Sequence, residues 1–255
     1  MSRIFITGST EGLGRAAALA LLDDGHEVVV HARNPSRAAS LGDLVHRGAA
    51  VVIGDLASAE ETHGVADQVN ALGPMDAIIH NAAVFKEPER GATPEGHART
   101  LAVNVLAPYV LTAEITRPER LICLSSDMHR GGDATLHDMD WTARAWNGTQ
   151  AYADSKLFMA AFASLIARRW PDVRSNAVDP GWVPTRMGGP SAPDDLELGH
   201  VTQGWLAVSS EPDVMESGGY WHHQRRHAPA SAASDAAFQD RLLDHLIRLT
   251  GVRLL

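Results

Sequence analysis

The feature that most restricts the fold is an alternation that starts at the first residues, in which short runs of continuous apolar character are separated by longer helix-like stretches. Arg3-Thr7, Glu27-His31, Ala50-Gly54 and Asp76-His80 read as strands, followed by Glu119-Ser125 as a fifth and Val173-Asp179 as a sixth. The last two are separated by a long helix expected from about Thr149 to Trp170. Side chains of a strand point alternately to its two faces, so a run apolar at every position needs cover on both. Strands alternating with helices imply parallel connections. The expected fold is α/β: a doubly wound, mainly parallel β-sheet with helices on both faces, a three-layer α/β/α sandwich forming one domain over residues 1–255. Met128 to Gly148 and Pro184 to Leu198, rich in glycine and aspartate, break the pattern. Segments 127–148 and 184–200 are therefore expected to be substrate loops, beyond the carboxyl ends of the strands where ligands bind in such sheets. Near the end, Phe238, Leu242, Leu246 and Leu249 fall at helical spacing and predict a helix packed on the body.

The first strand runs into Thr7-Gly8-Ser9-Thr10-Glu11-Gly12-Leu13-Gly14, followed by an apolar helix reaching about Leu22. A strand turning sharply into a helix aims free amide N–H groups at whatever lies beyond. Glycine lets a phosphate approach that main chain. The turn predicts a dinucleotide site in a Rossmann-type domain.

Further motifs follow in order: Asp55-Leu56 after the third strand, Asn81-Ala82-Ala83 after the fourth, and Asn104 in the next helix. Ser125-Ser126 ends the fifth strand, Tyr152-x-x-x-Lys156 lies in the long helix, and Pro180-Gly181-Trp182-Val183-Pro184-Thr185 follows the sixth strand. Each alone has a plain reading as a cap or turn. In this order, with the T-G-x-x-x-G-x-G spacing of the turn, they resemble the short-chain dehydrogenase/reductase family over nearly the whole chain. The resemblance implies a cofactor set of Gly8, Ser9, Thr10, Glu11, Gly12, Leu13, Gly14, Asp55, Leu56, Asn81, Ala82, Ala83, Tyr152, Lys156, Pro180, Gly181, Val183 and Thr185. Asp55 would contact the adenine, Asn81-Ala82-Ala83 the adenine ribose, and Lys156 the nicotinamide ribose. His80-Asn81-Ala82-Ala83 departs from the family, which more often shows a second Asn first and a Gly last.

Tyr152 and Lys156, four apart on a helix, share one face. A phenol of ordinary pKa near 10 is a poor acid or base at neutral pH, and a nearby ammonium is expected to lower it. By resemblance Tyr152 is the general acid/base of hydride transfer. Ser126 would hold the substrate oxygen, and Asn104 would bend its helix and place a water in a proton relay through Lys156. Ser126 is preferred over Ser125 because neighbouring strand residues face opposite sides and the family motif matches Ser126. The insert Asp127 to Ala151, with its Ser-x-x-His start, Asp-x-Asp-Trp core and the later Gly218-Gly219-Tyr220-Trp221, is similar to the retinol-dehydrogenase-like branch and related bacterial reductases. That likeness does not make retinol the substrate. At the end of the second strand, where NAD enzymes carry a carboxylate for the ribose hydroxyls, stand Ala32 and then Arg33. A guanidinium there can clamp a 2′-phosphate, so NADP(H) is expected in preference to NAD(H).

The net charge of −9, with basic residues clustered only in short pairs such as Arg225-Arg226, argues against a nucleic-acid partner. The thirteen histidines are scattered, and His222-His223 is expected in a strand with its side chains on opposite faces, so no metal site is expected. No apolar run is long enough to span a membrane. Met1 leads straight to Ile4-Phe5-Ile6 without a secretory signal, and the single Cys123 lies in an apolar run, which fits a buried thiol and a cytoplasmic location. The expected activity is NADP(H)-dependent interconversion of a ketone or aldehyde with an alcohol. The alternatives are a non-catalytic NADP(H)-binding redox-sensing or scaffold protein, and a sugar-nucleotide epimerase or dehydratase, which length disfavours. A homodimer or homotetramer is possible through the helix bearing Phe158, Phe162 and Leu165, whose other reading is core packing.

Overall fold

The computed structural model describes residues 1–254. Its strands are β1 Arg3–Ile6, β2 Glu27–Ala32, β3 Ala50–Ile53, β4 Ala77–His80, β5 Arg120–Leu124, β6 Arg174–Asp179, β7 Tyr220–His222 and β8 Arg225–His227. They form one sheet in the order β3-β2-β1-β4-β5-β6-β7-β8, parallel throughout except that β8 pairs antiparallel with β7. The chain order reverses between β1 and β4, which opens a crevice at the carboxyl ends of those strands, the usual ligand position in open α/β sheets.

The helices are α1 Gly12–Asp23, α2 Pro35–Ala38, α3 Gly42–His46, α4 Ala59–Ala71, α5 Arg99–Leu101, α6 Ala107–Glu114, α7 Gly148–Arg169, α8 Leu196–Val208, α9 Ser231–Ser234 and α10 Ala236–Thr250. The continuous apolar strands divide residue by residue between two cores. Ile4, Ile6, Val28, Val30, Ile79, Ile122 and Val178 pack with Ala17 and Leu21 of α1 and Leu206 of α8. Phe5, Val29, Ile78, Leu121 and Ala177 face Val65 of α4, Tyr109 of α6 and the apolar side of α7. The three layers expected from the alternation are therefore present. Cys123 lies in the second core, and burial pushes its thiol up to about 12.

Three local expectations are corrected. The segment from Pro184 is not loop as far as Leu198, because Asp195 accepts from the Glu197 amide and caps α8 at Leu196. Residues 127–131 form a 3-10 turn capped by Ser126. His223 is not a strand residue: β7 ends at His222, His223 takes φ +45°, and the two imidazoles stack at 3.9 Å instead of pointing apart.

Phe158, Phe162 and Leu165 are buried within the chain, Phe158 lying 6.4 Å from Phe238 of α10 and Phe162 6.0 Å from Tyr109. The predicted C-terminal helix is thus the cover of α7. Much of the insert covers another part of α7: Leu136, Met139 and Trp141 are buried in the same core. The Arg144 guanidinium lies 3.6 Å from the Trp141 ring and pairs with the buried Asp154 at 2.9 Å. The Asp-x-Asp-Trp core is a staple, in which Asp138 accepts from the Thr142, Ala143 and Arg144 amides and Asp140 accepts from the Ala98 amide.

Candidate active site

The glycine-rich turn is held by contacts that leave no room for side chains. Gly8 has φ +67°, and a Cβ there would lie 2.9 Å from the Ala82 Cα. A Cβ on Gly14 would meet the Asn81 Nδ2 at 2.3 Å and the Gly8 carbonyl oxygen at 2.6 Å. Asn81 donates to the Thr7 and Gly8 carbonyls, and the Asn81 and Ala82 amides donate to the Thr7 hydroxyl, so the end of β4 is latched to the start of the turn. Ser9 faces inward and is spent on Ile6 and His31. The N-cap of α1, Glu11, makes no capping bond, which leaves the first-turn amides of α1 to a ligand. Thr185 stands across the turn, its Cγ2 3.7 Å from where a Gly12 Cβ would be. Leu13 packs beside Gly199 and Val183, joining α1 to α8.

A residue not singled out in the sequence, His31, supports this turn from β2. The Gly8 N–H can only donate, so His31 Nδ1, 3.1 Å away, is the bare nitrogen, and Nε2–H donates to the Gly54 carbonyl at 2.8 Å. Burial lowers its pKa and keeps it neutral. Its signal was a polar residue within an apolar strand.

At the ribose end, Arg33 is exposed just past β2. Arg37, one turn farther, was missed. Its guanidinium donates to the Thr10 hydroxyl at 3.0 Å and pairs with Glu11 at 2.8 Å, while Arg186 lies 3.7 Å from the same carboxylate. The Arg37 hydrogen bond, opposed by partial burial, holds Glu11 below the usual carboxylate range. Asp55 accepts from the Ala57 amide, and Leu56 is buried in the core.

The proposed reacting groups meet where β5, β6 and α7 converge. Tyr152 is buried, with the Phe85 ring against it at 4.5 Å and the Ser126 side chain beside it. Lys156 donates to the Leu124 carbonyl at 2.8 Å and holds its ammonium 5.3 Å from the centre of the Tyr152 ring. The expected lowering of the Tyr152 pKa is absent. Burial dominates and pushes the phenol well above its ordinary value; the neighbouring Ser126 hydroxyl opposes this and the charge of Asp179 adds to it. Burial brings Lys156 down to about 8. Ser125 donates its hydroxyl to the Lys156 carbonyl.

Asn104 sits in a π-helical turn, Ala102–Leu106, so its helix is distorted as expected. Its amide is engaged by Val84, accepting from the N–H at 2.8 Å and donating to the carbonyl at 3.0 Å, and it also donates to Ser155. These bonds tie the strand end that carries Phe85 to α7. At the end of β6, Asp179 accepts from the Gly181 amide, and Asp194 accepts from the Trp182 amide, folding the Pro180–Thr185 motif back over the crevice.

A short chain dehydrogenase profile matches residues 2–196. The chain is 36% identical over 258 residues to the short-chain dehydrogenase chry4 of Gibberella zeae, covering 100% of this chain and 99% of that protein. It is 28% identical to retinol dehydrogenase 13 of Homo sapiens, over 98% of this chain and 84% of that one. A crystal structure of an uncharacterized protein from Mycobacterium paratuberculosis has the same fold, with a TM-score of 0.84 at 21% identity, covering 100% of this chain and 95% of that one. Among the described residues, no helix is long and apolar enough to cross a membrane.

Proposed function

The chain belongs to the short-chain dehydrogenase family, and on that premise we propose that it interconverts a ketone or aldehyde with an alcohol, using NADP(H) and Tyr152 as general acid/base. The observation that carries this reading is the convergence of Ser126, Tyr152 and Lys156 on the crevice bordered by the glycine-rich turn. The close approach of Gly8 and Gly14 to β4 and the uncapped amides of α1 fit a pyrophosphate. The nicotinamide, when bound, supplies or accepts the hydride.

The residues do the rest. Ser126 donates to the carbonyl oxygen and so polarises it. A phenol held above its ordinary pKa keeps its proton through neutral pH, so Tyr152 is set to give that proton to the oxygen as negative charge develops there. Lys156 stays largely protonated at pH 7 and supports the phenolate left behind. Asn104 acts through Val84 and Phe85 to hold Tyr152 in place. Arg33 and Arg37, with Thr10, form the basic end suited to a 2′-phosphate.

A panel of carbonyls and alcohols followed by NADPH absorbance tests the reading. Tyr152→Phe should remove turnover while leaving NADPH binding within about twofold, and Arg33→Ala with Arg37→Ala should reduce the preference for NADPH over NADH by at least tenfold. Full turnover by Tyr152→Phe refutes the mechanism. Tight NADPH binding with no compound turned over refutes the catalytic reading.

A further inference from the structure

Two residues that the proposed mechanism leaves unused, His129 of the Ser126-x-x-His129 motif and Tyr220 of Gly219-Tyr220-Trp221, come together in space. His129 is fully buried, its ring 4.6 Å from the Tyr220 ring. Its Nε2 lies 2.8 Å from the Ala230 N–H, which can only donate, so Nε2 is the bare nitrogen and the proton sits on Nδ1. Nδ1 lies 2.8 Å from the Ser126 carbonyl oxygen and 3.2 Å from the Tyr220 hydroxyl. Ser125, next to Ser126, donates its hydroxyl to the Lys156 carbonyl at 3.0 Å.

We propose that His129 and Tyr220 are positioning residues that fix Ser126 against Tyr152 and Lys156 by clamping the backbone of the reacting serine from behind. His129 Nδ1–H donates to the Ser126 carbonyl and, at longer range, to the Tyr220 hydroxyl, while the Tyr220 ring packs against the imidazole. The clamp spans β5, α7, β7 and the segment leading into α9. Within the turn the Ser126 carbonyl also accepts from the His129 amide at 2.9 Å, so the imidazole adds the contacts to Ala230 and Tyr220 that fix this turn against β7 and the segment before α9, while the Ser126 hydroxyl's own bond, accepted from the Met128 amide, is long at 3.4 Å. The charged groups around His129 are Asp127 and Arg130 on its own turn and Asp179 on β6. Those facing Tyr152 are Lys156 and Asp179. Burial keeps His129 neutral, so it serves as a fixed donor and takes no part in proton transfer.

The inference rests on the reading of the site given above, and its test separates the two. His129→Leu should lower kcat by about 10- to 100-fold, the scale of a misplaced reacting group. Tyr220→Phe should lower it by about 2- to 10-fold, the worth of one neutral hydrogen bond. His129→Asn, whose amide nitrogen can replace Nδ1 at the Ser126 carbonyl, should recover most of the loss. In all three the NADPH Kd stays within about twofold of wild type. In the first two the pH profile of kcat/KM changes shape, because Ser126 is no longer held in place beside Tyr152. Independently of turnover, 15N NMR of labelled histidine should show His129 as the neutral Nδ1–H tautomer at pH 7. The inference is overturned by an Nε2–H or charged His129, by wild-type kcat and pH profile in His129→Leu, or by losses that follow melting temperature and NADPH affinity with no change in the profile. Should Tyr152→Phe turn over like wild type, the reading of the site fails and the inference with it; a Tyr152-dependent enzyme indifferent to His129→Leu sinks the inference alone.

Discussion

Gly14→Ala is the most exacting test of how the glycine-rich turn is built. The new methyl group would stand 2.3 Å from the Asn81 Nδ2 and 2.6 Å from the Gly8 carbonyl oxygen. The second of these is backbone and cannot rotate away. Forcing a methyl group into a packed site costs about 1–3 kcal/mol. If Asn81 yields, its bonds to the Thr7 and Gly8 carbonyls, at 2.9 and 3.2 Å, are lost at about 0.5–1.5 kcal/mol each. Alanine returns about 0.5–1 kcal/mol through helix propensity, since Gly14 lies in the first turn of α1. The net loss is about 1–5 kcal/mol, or roughly 2–20 °C in Tm for a domain of this size. NADPH affinity, read by tryptophan fluorescence, should fall at least tenfold because the turn shifts away from β4. Gly64→Ala is the matched control: it lies in α4, no atom stands within 4 Å of its new Cβ, and it should gain about 0.5–1 kcal/mol. If Gly14→Ala melted at or above the wild-type temperature and bound NADPH normally, the turn would not be packed as described.

Acid should destabilise the protein from about pH 6.5 downward. His31 and His80 are buried and held neutral, His80 down to about 3, so below 6.5 the unfolded chain takes up protons that the folded one refuses. Stability is full above that pH and falls by at most about 1.4 kcal/mol per unit for each group below it; urea midpoints equal at pH 7.5 and 5.5 would contradict this. Phe238→Ala, at a fully buried position of α10 against Phe158, should cost about 3–5 kcal/mol in urea unfolding. A cost under about 1 kcal/mol would mean that α10 does not cover α7 as described.

The strands and the motif positions were legible because they depend on local rules: apolar continuity for a sheet covered on both faces, and glycine where a turn meets a neighbouring strand. Alternation said that Ser125 and Ser126 face opposite sides and the family motif chose Ser126; Ser125 donates to the Lys156 carbonyl. What escaped depends on contacts distant in sequence. Arg37 reaches Thr10 across 27 positions, His129 reaches Ala230 across 101, and no periodicity marks either pairing. The pKa of Tyr152 was misjudged for a related reason. Spacing revealed the neighbouring ammonium but not the burial that outweighs it.

The same distinction explains the long insert. Its glycines and aspartates look like loop, yet Leu136, Met139 and Trp141 enter the core, and Arg144 pairs with Asp154 on α7. With α10 covering Phe158, the helix that carries Tyr152 and Lys156 is enclosed along most of its length, as an all-round apolar helix must be. A reacting pair one helical turn apart keeps its geometry only if that helix cannot roll. The insert and the C-terminal helix, remote in sequence from the crevice, therefore immobilise α7, and on the proposed reading of the site this holds Tyr152 and Lys156 in place.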